Sequence, residues 1–132
     1  MNSEIYREMI LEHYKNPVNA GVIVDADVVV KDYNPACGDV VEIQIKFSDG
    51  IMKNVKFQGQ GCAISQASVD ILIDLVKDKN VGKVKTLTTE DFLKILGIEL
   101  SPLRLKCALL GLKTLKTAVY AYLGDTTSLP SM

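Results

Sequence analysis

Cys37, Asp39, Cys62 and Cys107 are the residues whose types could hold a metal ion or an iron–sulfur cluster. Thiolates bind zinc, iron and sulfide, and a carboxylate adds a harder oxygen donor. Cys37 and Asp39 stand two apart in Asn34-Pro35-Ala36-Cys37-Gly38-Asp39. On extended chain such a pair points the same way, and Gly38 lets the backbone turn around an ion. A buried thiol beside a turn-forming Asp is the plainer alternative. Cys62 follows Gly59 and Gly61 and precedes a helix, whose N-terminal partial charge favours a thiolate. Packing where a strand meets that helix is its alternative. Cys107 falls in the second turn of the last helix, with Gly111, Thr114 and Ala118 on its face. At ~100° per residue it lies about 130° from the centre of the Leu105, Leu109, Leu112 stripe, which speaks for a functional side chain over core packing. Lys106 adjoins it, and a cation beside a thiolate lowers its pKa, although a solvated lysine is the commoner case. His13, the single histidine, reads as a surface or structurally satisfied residue. No CxxC pair is present, so zinc-ribbon and thioredoxin readings lack their signature.

These residues must be positioned by helices and strands that the pattern also predicts. A helix over about 3–15 starts at a capping Ser3 and ends at Asn16-Pro17. Residues 22–32 are Val-rich and read as a strand, with Asp25 and Asp27 marking a turn or irregularity inside it. Val41 to Phe47 alternates apolar and polar residues, the period of a half-buried strand. Ser48-Asp49-Gly50 is a hairpin signal, a strand over 51–58 follows, and Gly59 and Gly61 break it. A helix begins after Cys62 with Ile64, Ala67, Ser68, Ile71, Leu72 and Leu75 on one face. Thr88 caps a short helix closed by Gly97. Ser101 and Pro102 open the last helix, which Gly124 stops near Leu123. Strands followed by helices make an α+β domain over residues 1–124, with 125–132 as a flexible tail.

Bulk properties narrow the function classes. The 132 residues carry a net charge of −1, which offers no electrostatic case for a nucleic-acid partner. The longest apolar stretch is too short for a membrane span, and the N-terminus lacks a signal-peptide pattern. The chain therefore reads as soluble and cytoplasmic, and three cysteines, an odd number in a reducing compartment, argue against a disulfide framework.

The motifs around the cysteines resemble the U-type iron–sulfur scaffold family: IscU, SufU and the N-terminal domain of NifU. The resemblance rests on Tyr6, His13-Tyr14-Lys15-Asn16-Pro17, Pro35-Ala36-Cys37-Gly38-Asp39, Gly61-Cys62-Ala63-Ile64-Ser65 with Ala67-Ser68, and Leu100-Ser101-Pro102-Leu103-Arg104-Leu105-Lys106-Cys107. It implies a small, mostly antiparallel three-stranded sheet packed against helices. It implies that Cys37, Cys62 and Cys107 bind a 2Fe–2S cluster, an iron or a zinc ion, with Asp39 as a fourth ligand. A cysteine desulfurase would deliver sulfur as persulfide, first onto Cys107, and apo iron–sulfur proteins would receive the cluster. Such a protein is a carrier rather than an enzyme. The SufU branch instead implies a zinc-dependent sulfurtransferase that uses the same four residues. Tyr6 matches a tyrosine that helps two scaffolds meet, which implies a homodimer when cluster is bound. Two features divide the branches. Lys106 stands where the IscU branch has a histidine, as in SufU-like sequences. The segment between Cys62 and Cys107 is too short for the SufU insertion.

Overall fold

The computed structural model of the protein describes residues 3–124. In chain order these form α1 (Ser3–Lys15), β1 (Val28–Asn34), β2 (Asp39–Ser48), β3 (Ile51–Gln60), α2 (Ala63–Val76), α3 (Val81–Thr86), α4 (Thr89–Leu96) and α5 (Pro102–Leu123). The strands make one antiparallel sheet in the order β1-β2-β3. The fold is therefore α+β with a three-stranded sheet, as the sequence implies. Residues 125–132 lie outside the described residues.

β2 is the central strand, and its alternation sets the two faces. Val41, Ile43, Ile45 and Phe47 are buried on one side, and Asp39 is in phase with them at 1 % exposure. The same period that builds the core thus turns Asp39 toward the helices. Asp49 and Gly50 both have positive φ, 50° and 76°, which suits the two-residue hairpin between Ser48 and Ile51.

Several expected boundaries shift, each for a local reason. β1 starts only at Val28, because residues 24–25 turn and Asp27 accepts the Phe47 N–H at 2.8 Å. Gly59 does not break β3 but pairs with Val41 inside it, since a Cβ there would collide with the Val40 carbonyl oxygen. α3 was not expected from the sequence; Asn80 caps it by accepting the Gly82 N–H. The caps at Thr88, Gly97, Ser101 and Gly124 are where the sequence places them.

α2 is buried nearly all round and forms the centre of the helical layer. α1 packs on it from one side and α5 from another, while α5 also covers β1 and β2. The buried face of α5 is the largest correction to the sequence reading. It carries Cys107, Gly111, Thr114, Leu115 and Ala118 besides Leu112 of the expected stripe and Val119, whereas Leu105 and Leu109 are only half-buried and Leu123 is 43 % exposed. Small residues decide this: Gly111 lets the helix approach Val69 of α2 so closely that an added Cβ would lie 2.9 Å from the Val69 Cβ. Cys107 is a buried residue of the core face, not an off-stripe one. Phe47 and Tyr122 stack at 3.7 Å and hold the far end of α5 to the sheet.

Candidate metal centre

Three chain segments deliver the cysteines to one point. The first is the turn joining β1 to β2. Asn34 pairs with Asp39, and the Asn34 carbonyl accepts the N–H groups of Cys37 (3.3 Å) and Gly38 (2.8 Å). The Asn34 side chain accepts the Ala36 N–H at 3.1 Å, and Gly38 takes φ +72°. Cys37 therefore sits on a tight turn, not on extended chain, yet its thiol still meets Asp39 Oδ2 at 2.9 Å. Asn34 escaped the sequence reading, although an Asn-Pro pair before a cysteine was a usable turn signal.

The second segment joins β3 to α2. Antiparallel pairing brings the end of β3 beside the start of β2, and so brings Gly61 against Asp39. Gly61 has φ +149°, and any Cβ there would collide with the Asp39 carboxylate. Cys62 is the N-cap of α2, its sulfur 3.5 Å from the Ser65 N–H. Its own N–H donates to Asp39 Oδ1 at 2.8 Å, and its thiol stands 3.5 Å from Oδ2. Gln66, also missed, braces this bend through Ser65 Oγ (3.0 Å) and the Val40 carbonyl (3.4 Å).

The third segment is the second turn of α5. Cys107 is 1 % exposed, and its sulfur lies 3.0 Å from that of Cys37. The ligand atoms of Cys37, Asp39 and Cys107 all fall within 4.8 Å of one another, and Cys62 joins them through Asp39. All three cysteines are free thiols.

Asp39 is the hub of this arrangement. Burial pushes its carboxyl up. Hydrogen bonds from the Cys37 thiol, the Cys62 N–H and the Cys107 and Cys62 thiols outweigh that push and hold it below the usual carboxylate value. Cys107 moves the other way. Burial, the hydrogen bond with Cys37 and the nearby Asp39 and Cys62 all raise it, so it stays a thiol at neutral pH. Lys106 does not offset this, and its side chain is exposed. Of the two readings of Lys106, the exposed side chain agrees with the solvated lysine.

The donor set suits a thiophilic metal: three sulfurs and one oxygen, with no cation in the described network. Two sulfurs on one tetrahedral zinc, at Zn–S of about 2.3 Å, stand roughly 3.8 Å apart. The Cys37 and Cys107 sulfurs, at 3.0 Å, must part somewhat to admit an ion. Two further residues have structural settings. Tyr6 packs its ring over Gly97 at the end of α4, where a Cβ would collide with it. His13 Nδ1 meets the fully buried Asp70 at 2.6 Å, and Asp70 also accepts the Asn19 N–H at 2.9 Å, locking α1 to α2.

Known proteins share this sequence and fold. Residues 5–128 match the family model of the NifU-like N-terminal domain. The chain is 33 % identical to the zinc-dependent sulfurtransferase SufU of Bacillus subtilis, covering 87 % of this chain and 89 % of that one. It is 38 % identical to the iron–sulfur cluster assembly scaffold protein IscU of Aquifex aeolicus, covering 89 % and 76 %. A crystal structure from Fervidobacterium islandicum, of a protein assigned as an iron–sulfur cluster assembly scaffold for the SUF system, superposes with a TM-score of 0.76. That match has 30 % identity and covers 90 % of this chain and 99 % of the other. No described helix is long and apolar enough to cross a membrane.

Proposed function

This chain belongs to the NifU-like N-terminal domain family, and from that premise we propose that it is an iron–sulfur cluster assembly scaffold. It receives sulfur from a cysteine desulfurase, builds a 2Fe–2S cluster on Cys37, Asp39, Cys62 and Cys107, and passes it to apo iron–sulfur proteins. The observation that carries this reading is the convergence of three thiols, from three separate segments, on one carboxylate. A 2Fe–2S cluster takes four protein donors, and these four residues supply them. An oxygen donor binds such a cluster less firmly than a fourth thiolate would, which suits a protein that must release its cargo. In this reading the protein is a carrier working in the reducing cytoplasm, a setting that its three free thiols support.

Cys107 is the proposed persulfide acceptor. Its burial means that sulfur can reach it only if the Cys37 turn or the first turn of α5 moves aside. A cluster-bound homodimer belongs to the same proposal, with Tyr6 near the contact. Sedimentation of apo and cluster-loaded protein tests it, and identical monomers in both states would sink it.

The SufU relative favours a second reading, a zinc-dependent sulfurtransferase using the same four ligands. Extra residues inside the matched span are not peculiar to SufU: a relative named IscU has them too, and another IscU matches almost without gaps.

Anaerobic incubation of the apo protein with ferrous iron, cysteine, reductant and a cysteine desulfurase separates the two. The scaffold reading expects a 2Fe–2S absorption and circular-dichroism spectrum that is lost in Cys37→Ser, Cys62→Ser and Cys107→Ser. No chromophore, with desulfurase turnover accelerated only when zinc and Cys107 are present, would move the protein to the sulfurtransferase class.

A further inference from the structure

Two of the three sulfurs at the centre are in contact. Cys37 Sγ and Cys107 Sγ lie 3.0 Å apart, although the residues are 70 positions apart in the chain. A disulfide closes at about 2.05 Å, so the pair is within ~1 Å of a bond. Cys62 is held differently. Its sulfur is 3.5 Å from Asp39 Oδ2 and 3.5 Å from the Ser65 N–H, and it contacts no other sulfur among the described residues. All three are free thiols.

The two partners differ in access and in freedom to move. Cys107 is 1 % exposed, and its helix is seated on α2 by the close approach of Gly111 to Val69. Cys37 is half-buried in a turn whose other residues, Pro35, Ala36 and Gly38, are exposed. A Cβ at Gly38 would meet nothing within 4 Å, so the turn has room to shift. The closing movement of ~1 Å therefore falls to the Cys37 turn. An oxidant from solvent reaches Cys37 before it reaches Cys107.

We propose that the metal-free centre closes reversibly into a Cys37–Cys107 disulfide when it meets a hydroperoxide, and that this bond shuts the site to metal and cluster. The Cys37 sulfur attacks one peroxide oxygen and the O–O bond breaks. Cys37 becomes a sulfenic acid, and its thiol proton leaves with the departing oxygen as water or alcohol. The Cys107 sulfur then attacks the Cys37 sulfur, the S–O bond breaks, and the Cys107 proton leaves with the hydroxide as water. The two thiols lose two electrons in all, and the peroxide gains them. Cys107 thereby intercepts Cys37 before irreversible sulfinic acid forms. A small dithiol reopens the bond by exchange at the accessible Cys37 sulfur, and is itself oxidised to its cyclic disulfide. The closed form holds the two sulfurs at about 2.05 Å instead of the roughly 3.8 Å that zinc requires, and leaves only Asp39 and Cys62 as donors. Bond formation depends on the geometry alone; its consequence for the cargo rests on the scaffold reading.

Loop entropy supplies the control. In an unfolded chain the shorter loop from Cys37 to Cys62 is favoured over the loop from Cys37 to Cys107 about fivefold, by the three-halves-power dependence on loop length. The reduced, chelator-treated full chain is exposed to hydrogen peroxide with and without urea, and its linkages are mapped by peptide mass spectrometry. Without urea, Cys37–Cys107 should be the main product, with a free thiol at Cys62 and all three thiols recovered by dithiothreitol. With urea, Cys37–Cys62 should lead. Cys62→Ser should still form the bond, whereas Cys107→Ser should accumulate sulfenic and sulfinic acid on Cys37. The zinc-loaded chain should resist linking, and the linked chain should bind no zinc. Folded protein that links Cys37 to Cys62, overoxidises Cys37 without linking it, or binds zinc with the bond in place would overturn the proposal. A chain that forms the bond yet never builds a cluster would refute only the scaffold reading. One that builds a cluster but never links Cys37 to Cys107 would refute only the disulfide.

Discussion

Gly111→Ala is the substitution for which helix propensity and packing predict opposite signs. Alanine is favoured over glycine inside a helix by about 1 kcal/mol, so an uncrowded position would be stabilised. Gly111 is crowded. Its Cβ would stand 2.9 Å from Val69 Cβ, 3.1 Å from Cγ2 and 3.2 Å from Cα, where unstrained carbon contacts begin near 3.5 Å. Val69 is fully buried in α2 and its Cβ cannot swing away, so the two helices must part by roughly half an ångström. Overpacking of this kind costs about 1–3 kcal/mol. The net expectation is a destabilisation of about 1 kcal/mol, read as a lower urea midpoint with an unchanged m-value in metal-free, reduced protein. Cys107 lies one turn before Gly111 on the same buried face, so the variant should also bind zinc more weakly. A Gly111→Ala protein that is more stable by about 1 kcal/mol would refute the argument that close α2–α5 packing positions Cys107.

Three further outcomes follow from the same geometry. Asp39→Ala should make a reconstituted cluster persist longer, measured as the decay of its visible absorption, because the weakest donor is gone; an unchanged lifetime would count against Asp39 as the source of lability. Asp70→Ala should cost about 3 kcal/mol by leaving the Asn19 N–H and His13 unpaired, and should speed hydrogen exchange in α1; unaltered exchange there would remove the lock between α1 and α2. Metal-free protein should lose stability as pH rises past the ordinary thiol value of 9.0, because the unfolded chain releases the Cys107 proton while the folded form retains it. The slope from this one group is at most about 1.4 kcal/mol per pH unit. Cys107→Ala should flatten that limb, and a parallel profile would show that Cys107 is not held protonated.

The parts of the fold that were legible in the sequence are those set by local chemistry. Alternation from Val41 to Phe47 gave the central strand, Asp49-Gly50 the hairpin, and Ser101-Pro102 with Gly124 the limits of α5. The α5 stripe was right at Leu112 and Val119 and misjudged at Leu105, Leu109 and Leu123, because hydrophobicity was weighed by side-chain size. The buried face was instead chosen by the small residues Gly111 and Ala118, which admit a neighbouring helix. α3 was missed because its six residues are too few to show a period.

By itself, the sequence determined the donor inventory: three thiols and one carboxylate, each set at a turn or near a helix start. Those features depend on residue type and on neighbours a few positions away. Only the tertiary structure decided that Asp39 is the common partner, since antiparallel pairing of β2 with β3 puts Gly61 and Cys62 against it. It also decided that Cys107 is enclosed and stays protonated, that Lys106 is exposed, and that His13 serves Asp70. Such relations join residues dozens of positions apart, and distance along the chain says nothing about them until the sheet and helices are packed.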